Sequence, residues 1–317
     1  MRIVLLAEEA AGLRVLRALA RRKEDVVAVV TAAGPDKASP MSIANVASAQ
    51  GFDVITTGAL SMSDFAGLLT DKGVDILLNV HSLSILPSSV IEAPRVGSFN
   101  LHPGPLPQLA GLNAPSWAIY LGEEEHAVTL HWMLSGIDTG PIAFEEHFAL
   151  SSEDTGFSVS ARCVTAGVPL IERLLDTAHR SVNEIPRVAQ DKSKRRFYNA
   201  SDIPNNGWIN WADSANQIAA FVRAADYGPF KSPWGSPGFQ LGEQVFGVVQ
   251  ATPQAGNSSE LPGTVIAVNQ SSVTVATGNG LLEIQRLKTG DRVVPAMEAL
   301  AGGQVLASAP PVQSSAI

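Results

Sequence analysis

Asn100 and His102 stand two residues apart in "SFNLHPGPLP" (98–107). Positions two apart in a strand point to the same face, so an amide and an imidazole project side by side. Pro103, Gly104, Pro105 and Pro107 follow at once, and the strand cannot continue through them. Asp138 lies further on, in the turn "SGIDTG" (135–140), which follows the next strand pattern and can return to the same sheet end. An asparagine amide donates hydrogen bonds. A histidine accepts a proton when neutral and donates when charged. A carboxylate beside an imidazole orients the ring and favours its charged form. Donors grouped around a developing oxyanion are what acyl transfer needs. The same residues also fit a plainer description: a strand-end cap, a half-buried histidine and a turn aspartate. Spacing alone leaves both descriptions open.

The elements that must position these residues alternate in type. "RIVLLA" (2–7), "DVVAVVT" (25–31), "DVITT" (53–57) and "DILLNV" (75–80) read as strands. Between them, "AGLRVLRALARR", "ANVASAQ" and "SDFAGLLTDKG" read as helices, the last closed by Gly73. This rhythm predicts a mostly parallel, Rossmann-like sheet of the α/β class, with helices on both faces. Such sheets bind ligands beyond the carboxyl ends of their strands, where His81–Pro87 and the segment after Asn100 fall. The first strand-to-helix turn, "AEEAAGLR", lacks GxGxxG, and its two acids repel a pyrophosphate, so no dinucleotide site is expected. A strand, a turn and a strand are expected in 126–150, then a helix to about residue 179. A further helix in "GWINWADSANQIAAFVRAAD" and short strands separated by Gly, Asn and Ser predict a second, smaller OB-like β-barrel domain. The expected division is a catalytic domain over 1–187, a connector over 188–206, the barrel domain over 207–308 and a flexible tail over 309–317.

Composition narrows the functional classes. The chain has 317 residues, which fits two domains or one large one, and 45% are hydrophobic and 16% charged, enough apolar material for a substantial core. Its longest apolar runs are too short to span a bilayer, and the first residues read as a strand and not as a secretory signal. A single cysteine, Cys163, excludes an internal disulfide framework and points to a reducing, cytoplasmic setting, with the thiol packed as a small hydrophobe. No Walker, CxxC or HExxH motif is present. His126 and His131, five apart in a strand, face opposite sides, so no metal site is expected. The net charge of −8 opposes extended nucleic-acid binding. The one dense basic run, "RVAQDKSKRRFY" (187–198), reads as a solvated connector.

The stretches "FNLHPGPLPQLAGLNAP" and "HAVTLHWMLSGIDTGPI" resemble the 10-formyltetrahydrofolate-dependent formyltransferase family, which includes methionyl-tRNA and sugar N-formyltransferases. The residues that carry the resemblance are Asn100, His102, Leu106, Pro107, Gly111, Asp138 and Gly140. It implies that 10-formyltetrahydrofolate is the co-substrate, with no metal, and that Asn100, His102 and Asp138 are catalytic. It carries the folate pocket onto Ser84, Ile85 and Leu86; Gly136, Ile137 and Asp138, in a second turn that follows a strand, are expected to contact the folate too. The implied mechanism has the Asn100 amide and a protonated His102 holding the oxyanion, with Asp138 paired to His102. The expected partner is a small or carrier-linked amine, such as an amino sugar nucleotide or an aminoacyl group, and not tRNA. Alternative readings are a methionyl-tRNA formyltransferase, a formyltetrahydrofolate hydrolase and a non-catalytic folate-binding protein. The chain departs from the family at Ala110, where a basic residue is common, and in "YGPFKSPWG" (227–235). Tyr227, Phe230 and Trp234 there are read as packing residues.

Overall fold

Strands buried on both faces need nearly continuous apolar sequence, and "RIVLLA", "DVVAVVT" and "ILLNV" supply it. In the computed structural model, which describes residues 1–35, 39, 41–61 and 64–309, these runs form the middle of the first sheet. The elements in order are β1 (Arg2–Ala7), α1 (Glu9–Arg21), β2 (Asp25–Thr31), α2 (Ile43–Ala49), β3 (Val54–Thr56), α3 (Phe65–Asp71), β4 (Ile76–Val80), α4 (Ser88–Ile91) and β5 (Gly97–His102). There follow β6 (Ala110–Gly111), α5 (Ala114–Leu121), β7 (Glu125–Trp132), β8 (Ile142–Ala149) and α6 (Gly156–Arg180). The seven-stranded sheet has the order β3-β2-β1-β4-β5-β7-β8. The strands from β3 to β5 pair in parallel, and β7 and β8 complete the edge antiparallel. The Rossmann-like, mostly parallel sheet is thus present.

The chain divides into two compact units. The first takes residues 1–114, 125–149 and 160–198. Its core packs Val4, Leu6 and Leu77 of the sheet against Phe65, Leu69 and Val90. Cys163 is buried here, and burial pushes its thiol up to about 12, so it is an inert packing group.

The second unit takes residues 115–124, 150–159 and those from 199 on. It contains α7 (Ala215–Ala224), whose Ser214 cap accepts from the Gln217 N–H at 3.2 Å. Around it curls an antiparallel sheet of β10 (Gly238–Leu241), β11 (Gln244–Gln254), β12 (Val265–Val268), β13 (Val273–Ala276), β14 (Leu281–Thr289) and β15 (Arg292–Pro295). Ile218 and Val222 pack on Val248, Val273 and Leu282. The segment around Leu306 spans the two open edges, pairing Ala307 with Gln240 and Val305 with Thr264. Chain order is therefore kept in pairs up to Ala307, past the point where the composition turns simple. The rest of the expected tail, 310–317, lies outside the described residues. Trp234 is buried beside Trp117 and Phe221, as a packing residue should be, while Phe230 is exposed beside Phe157.

Candidate active site

β4, β5 and β7 lie side by side, and their register decides which polar residues meet. Asn100 is opposite Asn79 on one side and His131 on the other, and His102 is opposite Thr129. The chain then leaves β7 and returns through 133–141, which brings Asp138 back to β5. Its carboxylate is the hub. Oδ2 accepts from the Gly111 N–H at 2.8 Å and faces His102 Nδ1 at 3.5 Å. Oδ1 accepts from Asn100 Nδ2 at 3.3 Å and lies 3.3 Å from His131 Nε2. The three residues singled out by the sequence are thus brought together.

His131 joins them, and the sequence reading missed it. The distance from Asn100 Nδ2 to His131 Nε2 is 3.0 Å, and His131 Nδ1 lies 2.8 Å from the Trp132 carbonyl. A carbonyl only accepts, so Nδ1 holds a proton, while Nε2 faces both the Asn100 amide and the Asp138 carboxylate. A cross-strand register places His131 here, and one sequence does not print its register.

His102 Nε2 lies 2.7 Å from the Leu109 carbonyl, so Nε2 carries a proton and Nδ1 is the position open toward Asp138. This differs from the expected role of His102 as an oxyanion donor. Its Nε2–H is committed to Leu109, and a proton gained at Nδ1 points at Asp138. Burial pushes the imidazole below its ordinary value, against the pull of Asp138 and of the Leu109 carbonyl. Burial by itself raises the Asp138 pKa. The pull of His102 whenever its ring is charged, the bond to His131 and the Gly111 N–H outweigh it and hold the carboxyl well below the usual carboxylate range. The resting site is therefore an ionised carboxylate facing an imidazole with an open nitrogen, which is an arrangement that takes up a proton.

The proline-bearing loop after His102 exists to wrap this ring. A Cβ on Gly104 would sit 2.6 Å from the Ala114 Cβ and 3.0 Å from His102 Nε2, so only glycine lets the loop close there. Gly111 has φ +89°, and a Cβ on it would sit 2.2 Å from the Tyr198 carbonyl oxygen. That conformation aims its N–H at Asp138.

The two stretches assigned to folate are unequal. Ile85 and Ile137 are exposed, as are Leu83 and Leu134 beside them, which leaves large apolar surface on two loops of the first unit. Leu86 is only 6% exposed and packs in the core with Leu6 and Val90, so its side chain does not line a pocket. Ser84 donates its N–H to Ser82 Oγ at 3.3 Å, and the Gly136 carbonyl accepts from Thr139 Oγ1 at 2.9 Å.

His126 is fully buried beneath the loop, with Nε2 donating to the Pro103 carbonyl at 3.0 Å and Nδ1 without a partner. Burial pushes its pKa down to about 4, below the ordinary value near 6.5. The unfolded chain thus binds a proton that the folded chain refuses. Stability is full above about pH 6.5 and falls as pH drops toward 4, by about 3 kcal/mol in all from this group. Urea unfolding between pH 7 and 4.5 should show that loss in the parent and a flatter profile in His126→Gln; equal slopes would mean that His126 is not held neutral.

Among the described residues, no group of three or more His, Cys, Asp or Glu is placed to hold a metal ion. No helix among them is long and apolar enough to cross a membrane.

Comparison with known proteins agrees with this architecture. The family model described as "Formyl transferase" matches residues 1–175, and that of "Formyl transferase, C-terminal domain" matches 203–304. The structure of HypX from Aquifex aeolicus in complex with tetrahydrofolic acid aligns at a TM-score of 0.63 and 17% identity, covering 95% of this chain and 47% of that one. The chain thus spans about half the length of HypX. An N-formyltransferase from Helicobacter canadensis, in complex with folinic acid and dTDP-3-aminofucose, aligns at 0.67 and 17% identity over 89% of this chain and 98% of that one. A 4-N formyltransferase from Francisella tularensis aligns at 0.61 and 20% identity over 76% and 93%. At these identities the structures speak for the fold, and the family models, which match both halves of the chain around the clustered Asn100, His102 and Asp138, place this chain in the formyl transferase family.

Proposed function

We propose that the chain transfers the formyl group of 10-formyltetrahydrofolate to a primary amine of a small or carrier-linked substrate. The observation that carries this reading is the ionised Asp138 carboxylate shared by Asn100, His102 and His131. The folate assignment draws support from relatives of the same fold that hold tetrahydrofolic acid or folinic acid, and the exposed Leu83, Ile85, Leu134 and Ile137 offer apolar walls for a flat pterin. A relative that holds dTDP-3-aminofucose supports an amino sugar nucleotide among the acceptors.

The neutral amine attacks the formyl carbon. Asn100 then turns one N–H from Asp138, its long contact at 3.3 Å, to the new oxyanion. Asp138 takes the proton that the amine loses, with His102 Nδ1 as the adjoining acceptor. The bond from the formyl carbon to N10 breaks, and that proton ends on N10 through the solvent.

The chain carries 30 acidic and 22 basic residues, and a tRNA surface must neutralise several phosphates. Charged initiator tRNA should therefore be a poor acceptor. In direct competition with small amines at physiological salt, formylated amine should dominate. Efficient, salt-sensitive formylation of the tRNA, lost when Lys192 and Lys194 are neutralised, would promote the tRNA reading over this one.

A further inference from the structure

Asp138 adopts φ +52°, a left-handed conformation uncommon outside glycine, and its surroundings hold it there. The fixing groups come from 188–198, the stretch whose composition reads as a solvated connector. Gln190 Nε2 donates to the Asp138 carbonyl at 3.0 Å and to the Gly140 carbonyl at 2.6 Å. Arg195 donates Nη2 to the Ile137 carbonyl at 2.8 Å and Nη1 to the Asp138 carbonyl at 3.2 Å. Its guanidinium also lies 5.3 Å over the Phe197 ring, which restricts its rotamers. Three carbonyls of the turn are thus gripped by two side chains.

The same stretch is tied at both ends. Val188 exchanges two backbone hydrogen bonds with Ile142, just past the turn, at 2.8 and 3.0 Å. Beyond Arg195, β9 (Phe197–Tyr198) pairs with β6, and the Ala110 and Leu112 N–H groups donate to Arg196 and Tyr198 carbonyls. β6 supplies the Gly111 N–H that Asp138 Oδ2 accepts. One stretch therefore holds the backbone that carries the carboxylate and the strand that caps it.

We infer that Gln190 and Arg195 are positioning residues for Asp138, acting through the 136–140 turn and not on a substrate. This rests on the proposed formyl transfer for its kinetic effect, but its structural half can be read without any reaction. A carboxylate displaced by about 1 Å typically costs on the order of 100-fold in rate. Its distance from His102 also sets how readily that ring is protonated, with His131, His81 and His126 the other titratable groups that act on the ring.

The test uses Gln190→Ala, Arg195→Lys and Arg195→Ala in the full chain, with Lys194→Ala as a control on an exposed neighbour. First, the His102 imidazole is titrated by NMR with no substrate present. Gln190→Ala and Arg195→Ala should protonate it at lower pH than the parent, because the carboxylate that favours the cation has moved, while Lys194→Ala leaves it in place. Second, kcat for formyl transfer should fall about 10- to 100-fold in Arg195→Ala, less in Arg195→Lys, with the folate KM within twofold. Third, in an Asp138→Asn background the same substitutions should cost less than threefold, since they act through that side chain. An unmoved titration, a raised KM with unchanged kcat, or an undiminished loss in the Asp138→Asn background would each overturn the inference. If the parent transfers no formyl group, the functional reading fails and the titration alone decides this one.

Discussion

Asp138→Asn and His102→Ala should each lower kcat by about 10³-fold, while the folate KM and the unfolding midpoint change little. The double variant should be only slightly worse than either single one. Asp138 Oδ2 faces His102 Nδ1 at 3.5 Å, so the two act as one proton-accepting unit. Removing either removes the unit, and the second loss finds little left to remove. His102 also fills the space under Gly104, so the His102→Ala chain should be checked for folding by near-ultraviolet circular dichroism. Strictly multiplicative losses in the double variant would mean that the two residues act independently and that the proton route drawn here is wrong.

The second large effect is expected at Asn100. Asn100→Ala should cost about 10²- to 10³-fold in kcat, the range seen when one oxyanion donor is removed. The loss has a definite origin. His102 spends its Nε2–H on Leu109, so Asn100 is left as the side-chain donor of this cluster that can turn to the reacting oxygen. Asn100→Asp should be at least as damaging, since it sets a second carboxylate beside Asp138. Pre-steady-state measurement of the chemical step with saturating folate checks this. A loss confined to KM would reassign Asn100 to substrate binding.

Much of this was legible in the sequence for a physical reason. β1, β2 and β4 are apolar along nearly their whole length, as strands of a sheet covered on both faces need to be. Asn100 and His102 are two apart, and the strand period sends them the same way. Asp138 is legible as a turn residue near the next strand. What stayed hidden depends on pairing across the fold. His131 is opposite Asn100 only because β5 and β7 take one register, and its spacing from His126 gives no hint of that. Gln190 and Arg195 sit in a polar, basic stretch, and composition cannot tell a solvated cation from one gripping two carbonyls. Leu86 lies in a loop that otherwise exposes its apolar residues, yet it turns into the core. α5, "APSWAIYL", is apolar on nearly every side and carries no helical stripe, because six of its residues in a row from Ala114 to Ile119 are buried.

The central claim is that the Asp138 cluster moves a formyl group from folate to an amine. It is tested most directly by following 10-formyltetrahydrofolate with an isotopic label in the formyl carbon, in the presence of a panel of amines. The label should appear as an N-formyl amide in step with tetrahydrofolate release, and both should stop together in Asp138→Asn. Label recovered as formate with every amine tested, or transfer that persists undiminished in Asp138→Asn, would contradict it.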